Sequence, residues 1–584
     1  MCGLVGIVGC RPDQTELRRM LQTVESRGPD DQQIAVAPWY GIGFARLAIV
    51  DLEGGHQPTS EPEGLIRVMF NGEIYNVEDL KRRLARDSGV CARSEAEVIL
   101  YGYRAMGDRI LTLLDGDFAV AIFDNRTRRC LLARDRMGIK PLYYSILPTG
   151  VLLFSSTPRA FFRHTDFDTK IDNITLSEKT VLGFCAVNRT IFEAIRQIPP
   201  GCFLDIHYSD SELTLASCSL KNYYDREKKR QEHLSEASVE QTIECCRGLI
   251  SAAIRRRVRH CSKSDPIFVS LSGGIDSTII ALIVARECTN NVVAITVSDT
   301  DDSEDVRYAI AVARHLSIEH VLHRVSIRDF DQHFGDVVIA SGGTAQSYTS
   351  YFLGLGVRQQ DRSARVLISG DGADEMFLGY HYLQNPNIYV QRVVERLSII
   401  NPDHIEGSVL LSRATTWKGM AVRDMWREVI ALFERDQLVN SHLIPCDHGP
   451  MAFGVENRVP FLDTEIVEII GALSPSARLL GPGTKGLLRL VLARECESDT
   501  ALARKILGRQ KAPAPGATAK CRDWMAEQIE LANGKGSSLS GFSPTRSSQS
   551  TFDAFWLRCV QKLFFLGRAA DTTASFRDLL SMSM

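Results

Sequence analysis

At 584 residues the chain is too long for one hydrophobic core and divides into several domain-sized units. A formal net charge of −3, with 44% hydrophobic and 24% charged residues, fits ordinary globular domains and excludes a nucleic-acid surface built on excess basic charge. No stretch approaches the roughly 18 apolar residues of a membrane span, and the start lacks the basic region and cleavage pattern of a signal peptide. The 15 cysteines are scattered without a CxxC pair, which argues against a disulfide framework or a zinc site. Together these features predict a cytoplasmic protein with no nucleic-acid or membrane partner.

In chain order, the first third reads as short strands over 4–8, 41–50, 66–70, 118–123, 131–133 and 151–154, interrupted by helices over 77–86 and 95–106. This is an α+β pattern of sheets covered by helices, and it continues to about Ile206. The charged run DREKKRQE (225–232) reads as a solvated linker. Beyond it, strand and helix alternate: helix 239–257, strand 267–271, helix 277–287, strand 292–297, helix 305–316 and strand 365–369. Such alternation predicts a doubly wound α/β domain with a parallel sheet. Helical segments dominate farther on, with a Gly/Ser-rich loop at 534–550 and an amphipathic helix at 551–566. The expected division is a domain over 1–225, a linker over 226–238 and a second domain over 239–584.

The opening MCGLVGIVGC places a thiol directly after the initiator methionine. Trimming of that methionine would leave Cys2 with a thiol and a free α-amine on one carbon. The thiolate is a strong nucleophile, and an amine with a pKa near ~8 can carry its proton without a histidine. On these ten residues alone a small core cysteine is an equal reading.

A second motif, PIFVSLSGGIDST (266–278), sets an apolar strand before SGGIDS and a helix after it. Two glycines allow a tight turn and close approach of a ligand, while amides at the helix start point at an anion. GxxxxGK[ST] is absent from the sequence, so this is a phosphate site of another kind than Walker A. Ser272, Ser277 and Thr278 add donors, and Asp276 suits a magnesium ion held against phosphates. A third motif, SGDGADE (369–375), also follows a strand and carries three acids around two glycines.

SGGIDS resembles the PP-loop of enzymes that cleave ATP to AMP and pyrophosphate. Together with SGDGADE and MAFGVENRVPFLD (451–463), it is similar to the synthetase domain of the glutamine-hydrolysing asparagine synthetase family. That family joins its synthetase to an N-terminal class II glutaminase of the Ntn-hydrolase type that begins with cysteine. RGPD (27–30), ARLAIVD (45–51), FNGEIYN (70–76) and RDRMGIKPLYY (134–144) match the glutaminase pattern in order. Five ordered matches turn the reading of Cys2 toward catalysis, and the resemblance covers nearly the whole chain.

The resemblance implies the following roles. Cys2 attacks the glutamine side-chain amide, with Asn71 and Gly72 as donors to the tetrahedral oxyanion. Arg46 pairs with the glutamine α-carboxylate, and Ile49, Val50, Asn71, Gly72, Glu73 and Glu95 complete the glutamine pocket. Leu271, Ser272, Gly273, Gly274, Asp276, Ser277, Val297, Ser369 and Gly370 bind ATP. Asp276 and Asp374 form the Mg2+ pair, Lys485 neutralises charge on the α-phosphate and departing pyrophosphate, and Asp371 orients or deprotonates the ammonia. The substrates implied are glutamine, ATP and a carboxylate, aspartate before others, and a homodimer is compatible with the family.

This sequence also departs from the family pattern. Glu95 in SEAEVIL stands where Asp is usual, and Asp371 stands in place of Glu. The segment 339–354, IASGGTAQSYTSYFLG, lacks the acidic pair and proline common in bacterial relatives, and DHGPMA (447–452) replaces DRMSMA. Two alternatives therefore stay open beside glutamine-dependent asparagine synthesis: the same chemistry on another carboxylate, and a catalytically silent regulatory paralogue.

Overall fold

The computed structural model describes residues 2–509 except 52–53, 210–212, 233–237, 260, 341–347, 381–382, 384, 398–407, 418, 481–482 and 498–499, together with a few positions between 520 and 578. The loop expected at 534–550 and the helix expected at 551–566 lie outside the described residues.

Two six-stranded antiparallel sheets form the N-terminal part. In spatial order the first contains Arg196–Gln197, Tyr143–Ile146, Leu152–Ser155, Gly3–Val8, Tyr40–Arg46 and Asp31–Val36. The second contains Leu215–Asn222, Cys202–Tyr208, Arg129–Arg134, Gly116–Asp124, Ile66–Ile74 and Thr59–Ser60. Their inner faces meet through Leu4, Ile42, Phe44 and Phe154 from one sheet and Met69, Ala121, Phe123, Leu132 and Ile206 from the other. The outer face of the second sheet is covered by helices Val77–Ser88 and Glu95–Met106, through Leu80, Leu84, Val98 and Ile99. On the first sheet, Val5 and Ile7 pack against Leu17, Met20 and Leu21 of helix Gln14–Gln22. The result is a four-layer arrangement in which Gly3–Val8 is buried along its whole length, which explains why it reads as a continuous small and apolar run.

The C-terminal part is built on a five-stranded parallel sheet ordered Glu319–Arg324, Val292–Ser298, Ile267–Ser270, Val366–Ile368 and Glu456–Arg458. Helices Val239–Val258, Ile275–Glu287 and Gly486–Glu495 cover one face, while Ile327–Ala340 and Tyr348–Gln360 cover the other. Helices Pro386–Leu397, Val409–Thr416 and Val422–Leu432 gather around Trp417 in a separate core. The backbone then winds as a π-helix over Phe433–Leu443, a geometry that often marks functional segments.

Two expectations need correction. The strand expected over 41–50 runs as Tyr40–Arg46, after which the chain leaves the sheet and Leu47, Ile49 and Val50 turn to line a cavity. The run expected to be a solvated linker at 225–232 contains helix Arg226–Glu232, and Arg230 is only 6% exposed. Glu434, buried on the π-helical segment, draws it in: Arg230 lies 2.8 Å and Arg226 3.2 Å from that carboxylate. A buried carboxylate requires such counter-charge.

Candidate active sites

The first site forms where the Gly3–Val8 and Ile66–Ile74 strands end together. Cys2 is buried, and its backbone N–H donates to Asn71 Oδ1 at 2.7 Å. A cavity of about 110 Å³ is lined by Cys2, Arg46, Ile49, Val50, Gly72, Glu73 and Glu95, so every glutamine-pocket residue expected from the sequence lines it or, for Asn71, bonds the cysteine. Gly72 has φ +139, and a Cβ there would lie 1.9 Å from the Asp117 carbonyl oxygen, so only glycine fits. Arg46 Nη2 donates to the Asp51 carbonyl at 2.6 Å, fixing the guanidinium at the cavity wall. Glu95 sits in the first turn of its helix behind the Ser94 cap, and accepts from the Ile74 amide at 2.7 Å.

The charge balance of this pocket extends into the C-terminal part. Glu73 pairs with Arg458 at 2.6 Å, and Arg458 also pairs with Glu456 at 2.9 Å, both from the last strand of the parallel sheet. Glu456 itself lines the Cys2 cavity. Burial pushes the Glu95 carboxyl well up, with repulsion from Glu73 adding to it. Burial also raises Glu73 despite Arg458. Glu456 feels the same burial, but the positive amino terminus, Arg458 and Lys140 outweigh it and hold its carboxyl well below the usual range. The Cys2 thiol is raised by burial against the opposing pull of the amino terminus.

The second site lies at the carboxyl end of the parallel sheet, where open α/β sheets bind ligands. Its cavity, about 320 Å³, is lined by Ser272, Asp276, Ser277, Ser369, Gly370, Asp371 and Asp374 among the expected residues. The SGGIDS turn requires Gly273 at φ +66, where a Cβ would lie 2.4 Å from that of Tyr308. Gly274 caps helix Ile275–Glu287, so the helix start opens onto the cavity beside Ser272 and Ser277. Lys485 is buried at the start of helix Gly486–Glu495 and reaches Asp276 at 2.5 Å and Asp374 at 2.7 Å. Burial pulls its ammonium down, but the two carboxylates prevail and hold it charged, well above the usual lysine value. Asp371 accepts from Ser369 Oγ at 2.5 Å, which in turn accepts from Asn457 Nδ2 at 2.9 Å.

Gly273, Gly274, Leu271 and Val297 do not line this cavity; the last two are buried core side chains at the ends of their strands. Conversely, the sequence reading missed Glu456 in the first site and Ser350, His442, Cys446 and Asn457 in the second. Glu456 and Asn457 fall inside MAFGVENRVPFLD, a motif quoted above without roles for its members, and Ser350 falls inside the 339–354 segment that departs from the family pattern; His442 and Cys446 carried no local signal.

Asp276 and Asp374, with the hydroxyls of Ser272 and Ser277, form an all-oxygen set that fits a hard divalent cation. Among the described residues no cluster of three or more His, Cys, Asp or Glu side chains is placed to hold a metal, so these two carboxylates stand as a pair, and no helix is long and apolar enough to cross a membrane.

The profile described as glutamine amidotransferase domain matches residues 1–224, and the asparagine synthase profile matches 246–556. A Bacillus subtilis protein named asparagine synthetase [glutamine-hydrolyzing] 2 is 28% identical, over 85% of this chain and 70% of its own. The glutamine-hydrolysing asparagine synthetase of Brassica oleracea is 26% identical, over 98% of this chain and 88% of its own. The chain belongs to the asparagine synthase family, and it carries ahead of the synthase region the glutamine amidotransferase domain.

Proposed function

We propose that this chain is an ATP-dependent ligase that hydrolyses glutamine at Cys2 and uses the ammonia in the second site to convert aspartate to asparagine. The single observation carrying this reading is that the strand Glu456–Arg458 serves both cavities: Glu456 lines the first and Arg458 pairs with Glu73 there, while Asn457 between them lines the second.

In the first site, once the initiator methionine is removed, the Cys2 α-amine takes the thiol proton and the sulfur attacks the amide carbon. Asn71 and the Gly72 amide receive the oxyanion. The amine returns the proton to the leaving nitrogen, ammonia departs, and water then hydrolyses the thioester to glutamate. Arg46 holds the substrate α-carboxylate, and Glu73 and Glu95 hold its ammonium. In the second site the acceptor carboxylate attacks the α-phosphorus of ATP, whose phosphates lie on the SGGIDS turn, and pyrophosphate leaves. Lys485 lies where negative charge builds on the phosphates. Mg2+, when bound by Asp276 and Asp374, supplies further neutralisation of that charge. Ammonia attacks the acyl carbon, Asp371 orients it and takes a proton, and AMP leaves. The described cysteines are all free thiols, and we place the reaction in the reducing cytoplasm.

A second reading, amidation of another carboxylate, is favoured by one observation. Among the described lining residues of the second cavity no arginine or lysine is present to pair with an α-carboxylate, and nearby Lys485 is held between two aspartates. Pyrophosphate release and mass spectrometry with ATP, Mg2+ and glutamine, with and without L-aspartate, separate the two. Aspartate-dependent pyrophosphate with asparagine supports the first reading; intact glutaminase without response to aspartate supports the second.

A further inference from the structure

The mechanism above asks Asp371 to orient ammonia and take a proton, with a side chain one methylene shorter than the glutamate of the family pattern. What holds that carboxylate comes from two neighbouring strands. Ser369, directly after strand Val366–Ile368, donates from Oγ to Asp371 Oδ2 at 2.5 Å. Asn457, on strand Glu456–Arg458, donates from Nδ2 to the same Ser369 Oγ at 2.9 Å. The strands run parallel with Leu367 opposite Asn457 and Ile368 opposite Arg458, and the Ser369 amide donates to the Arg458 carbonyl at 3.1 Å. Sheet register thus sets the two side chains against each other. Asn457 and Ser369 are both buried, and with Asp371 they line the second cavity.

The direction of this relay follows from what each group can do. An ionised carboxylate only accepts, so the single Ser369 hydroxyl proton points to Asp371. The serine oxygen is then left to accept, and the part of Asn457 that faces it must be the NH2 rather than the carbonyl. Such a donor polarises the serine O–H and strengthens its bond to the carboxylate. The Cys446 thiol, kept protonated by burial and by the nearby charge of Asp371, is a weaker donor beside it. Successive side chains of a strand point to opposite faces: Glu456 lines the first cavity and Arg458 pairs with Glu73 there, while Asn457 between them is the one turned to the second.

We propose that Asn457 is a positioning residue for amide synthesis: by donating to Ser369 it turns the serine proton onto Asp371 and fixes that carboxylate toward the ammonia that attacks the acyl-adenylate. This rests on the reading of the second site given above. Asn457 acts through Ser369 rather than on the reacting atoms.

The test uses the full chain with ammonium, ATP, Mg2+ and L-aspartate, and reads two rates. Exchange of labelled pyrophosphate into ATP reports adenylate formation, and amide product reports the attack by ammonia. In Asn457→Leu the kcat for amide is expected to fall about tenfold, while pyrophosphate exchange, KM for ATP and the glutaminase stay at the native level. A general loss of folding would lower all of them together. Ser369→Ala should slow the amide step as much, and adding Asn457→Leu to it should slow that step no further, because the relay is already cut. Asn457→Asp keeps the size of the side chain but sets a second acceptor against the serine proton, so the same loss of amide is expected; this variant decides the matter if Asn457→Leu fails to fold. A native kcat for amide in either variant, an equal loss of pyrophosphate exchange, or multiplied losses in the double variant overturns the proposal. Failure of the native chain to form amide from ammonium and L-aspartate would instead overturn the acceptor reading on which it rests.

Discussion

Arg458→Met is the substitution whose consequences follow most directly from the geometry. The native guanidinium is fully buried between Glu73 at 2.6 Å and Glu456 at 2.9 Å, and so joins the wall of the first site to the parallel sheet. Methionine fills similar volume but leaves two carboxylates buried, Glu73 without its main cation and Glu456 without one of its cations, and breaking a buried pair this way costs about 3–5 kcal/mol. The sign of the pH dependence follows. Glu456 is held below its usual range, and so adds stability above its unfolded pKa that is lost as pH falls. Without Arg458 that contribution shrinks, and Glu73, already raised by burial, rises further. A raised carboxyl favours folding below its unfolded pKa and loses that contribution as pH rises through the folded one. The variant should therefore be most destabilised at neutral pH and less so near about pH 4.5, where Glu73, raised above the usual carboxylate range, takes up a proton. Urea unfolding of the variant and native chains at both pH values measures this, and glutaminase kinetics should show a raised KM for glutamine as Glu73 loses its anchor. A loss under about 1 kcal/mol that is equal at the two pH values, with unchanged KM, would refute the reasoning.

Three further outcomes are expected. Gly72→Ala must push its Cβ away from the Asp117 carbonyl 1.9 Å distant, and at φ +139 the residue is strained regardless; about 1–3 kcal/mol of stability and the glutaminase are lost, read by thermal melting and glutamate release. Glu95→Gln removes a charge-assisted bond to the substrate ammonium, worth about 1.5–3 kcal/mol, so KM for glutamine rises about 10- to 100-fold while kcat changes little. Asp276→Ala abolishes pyrophosphate release with either glutamine or ammonium, yet leaves the glutaminase at its native rate in a glutamate assay.

Much of this architecture was legible because its signals are local. The alternation of strand and helix after residue 239, the glycines of SGGIDS and the acids of SGDGADE each state a backbone need or a charge at one place in the chain. All the glutamine-pocket residues expected from the sequence fall around one cavity for the same reason: they sit in motifs at strand ends that the sheets bring together. What the sequence hid is what depends on pairs far apart. Arg230 reads as one charge among many in DREKKRQE until Glu434, about two hundred residues on, is seen to need it. Arg458 and Glu456 read as part of a synthetase motif, although they complete the charge balance of the glutaminase pocket. His448 and Cys446 have no periodicity or spacing to betray them, since their neighbours Arg27, Tyr143 and Ser350 come from other elements. The 41–50 strand was overextended for a related reason: the apolar residues 47–50 serve a cavity wall rather than a sheet.

The central claim is that nitrogen released at Cys2 is the nitrogen consumed in the second site. The most direct test is the Cys2→Ala variant, assayed for amide product first with glutamine and then with ammonium as nitrogen donor. Synthesis is expected to vanish with glutamine and persist with ammonium. Product formed from glutamine by Cys2→Ala would contradict the account.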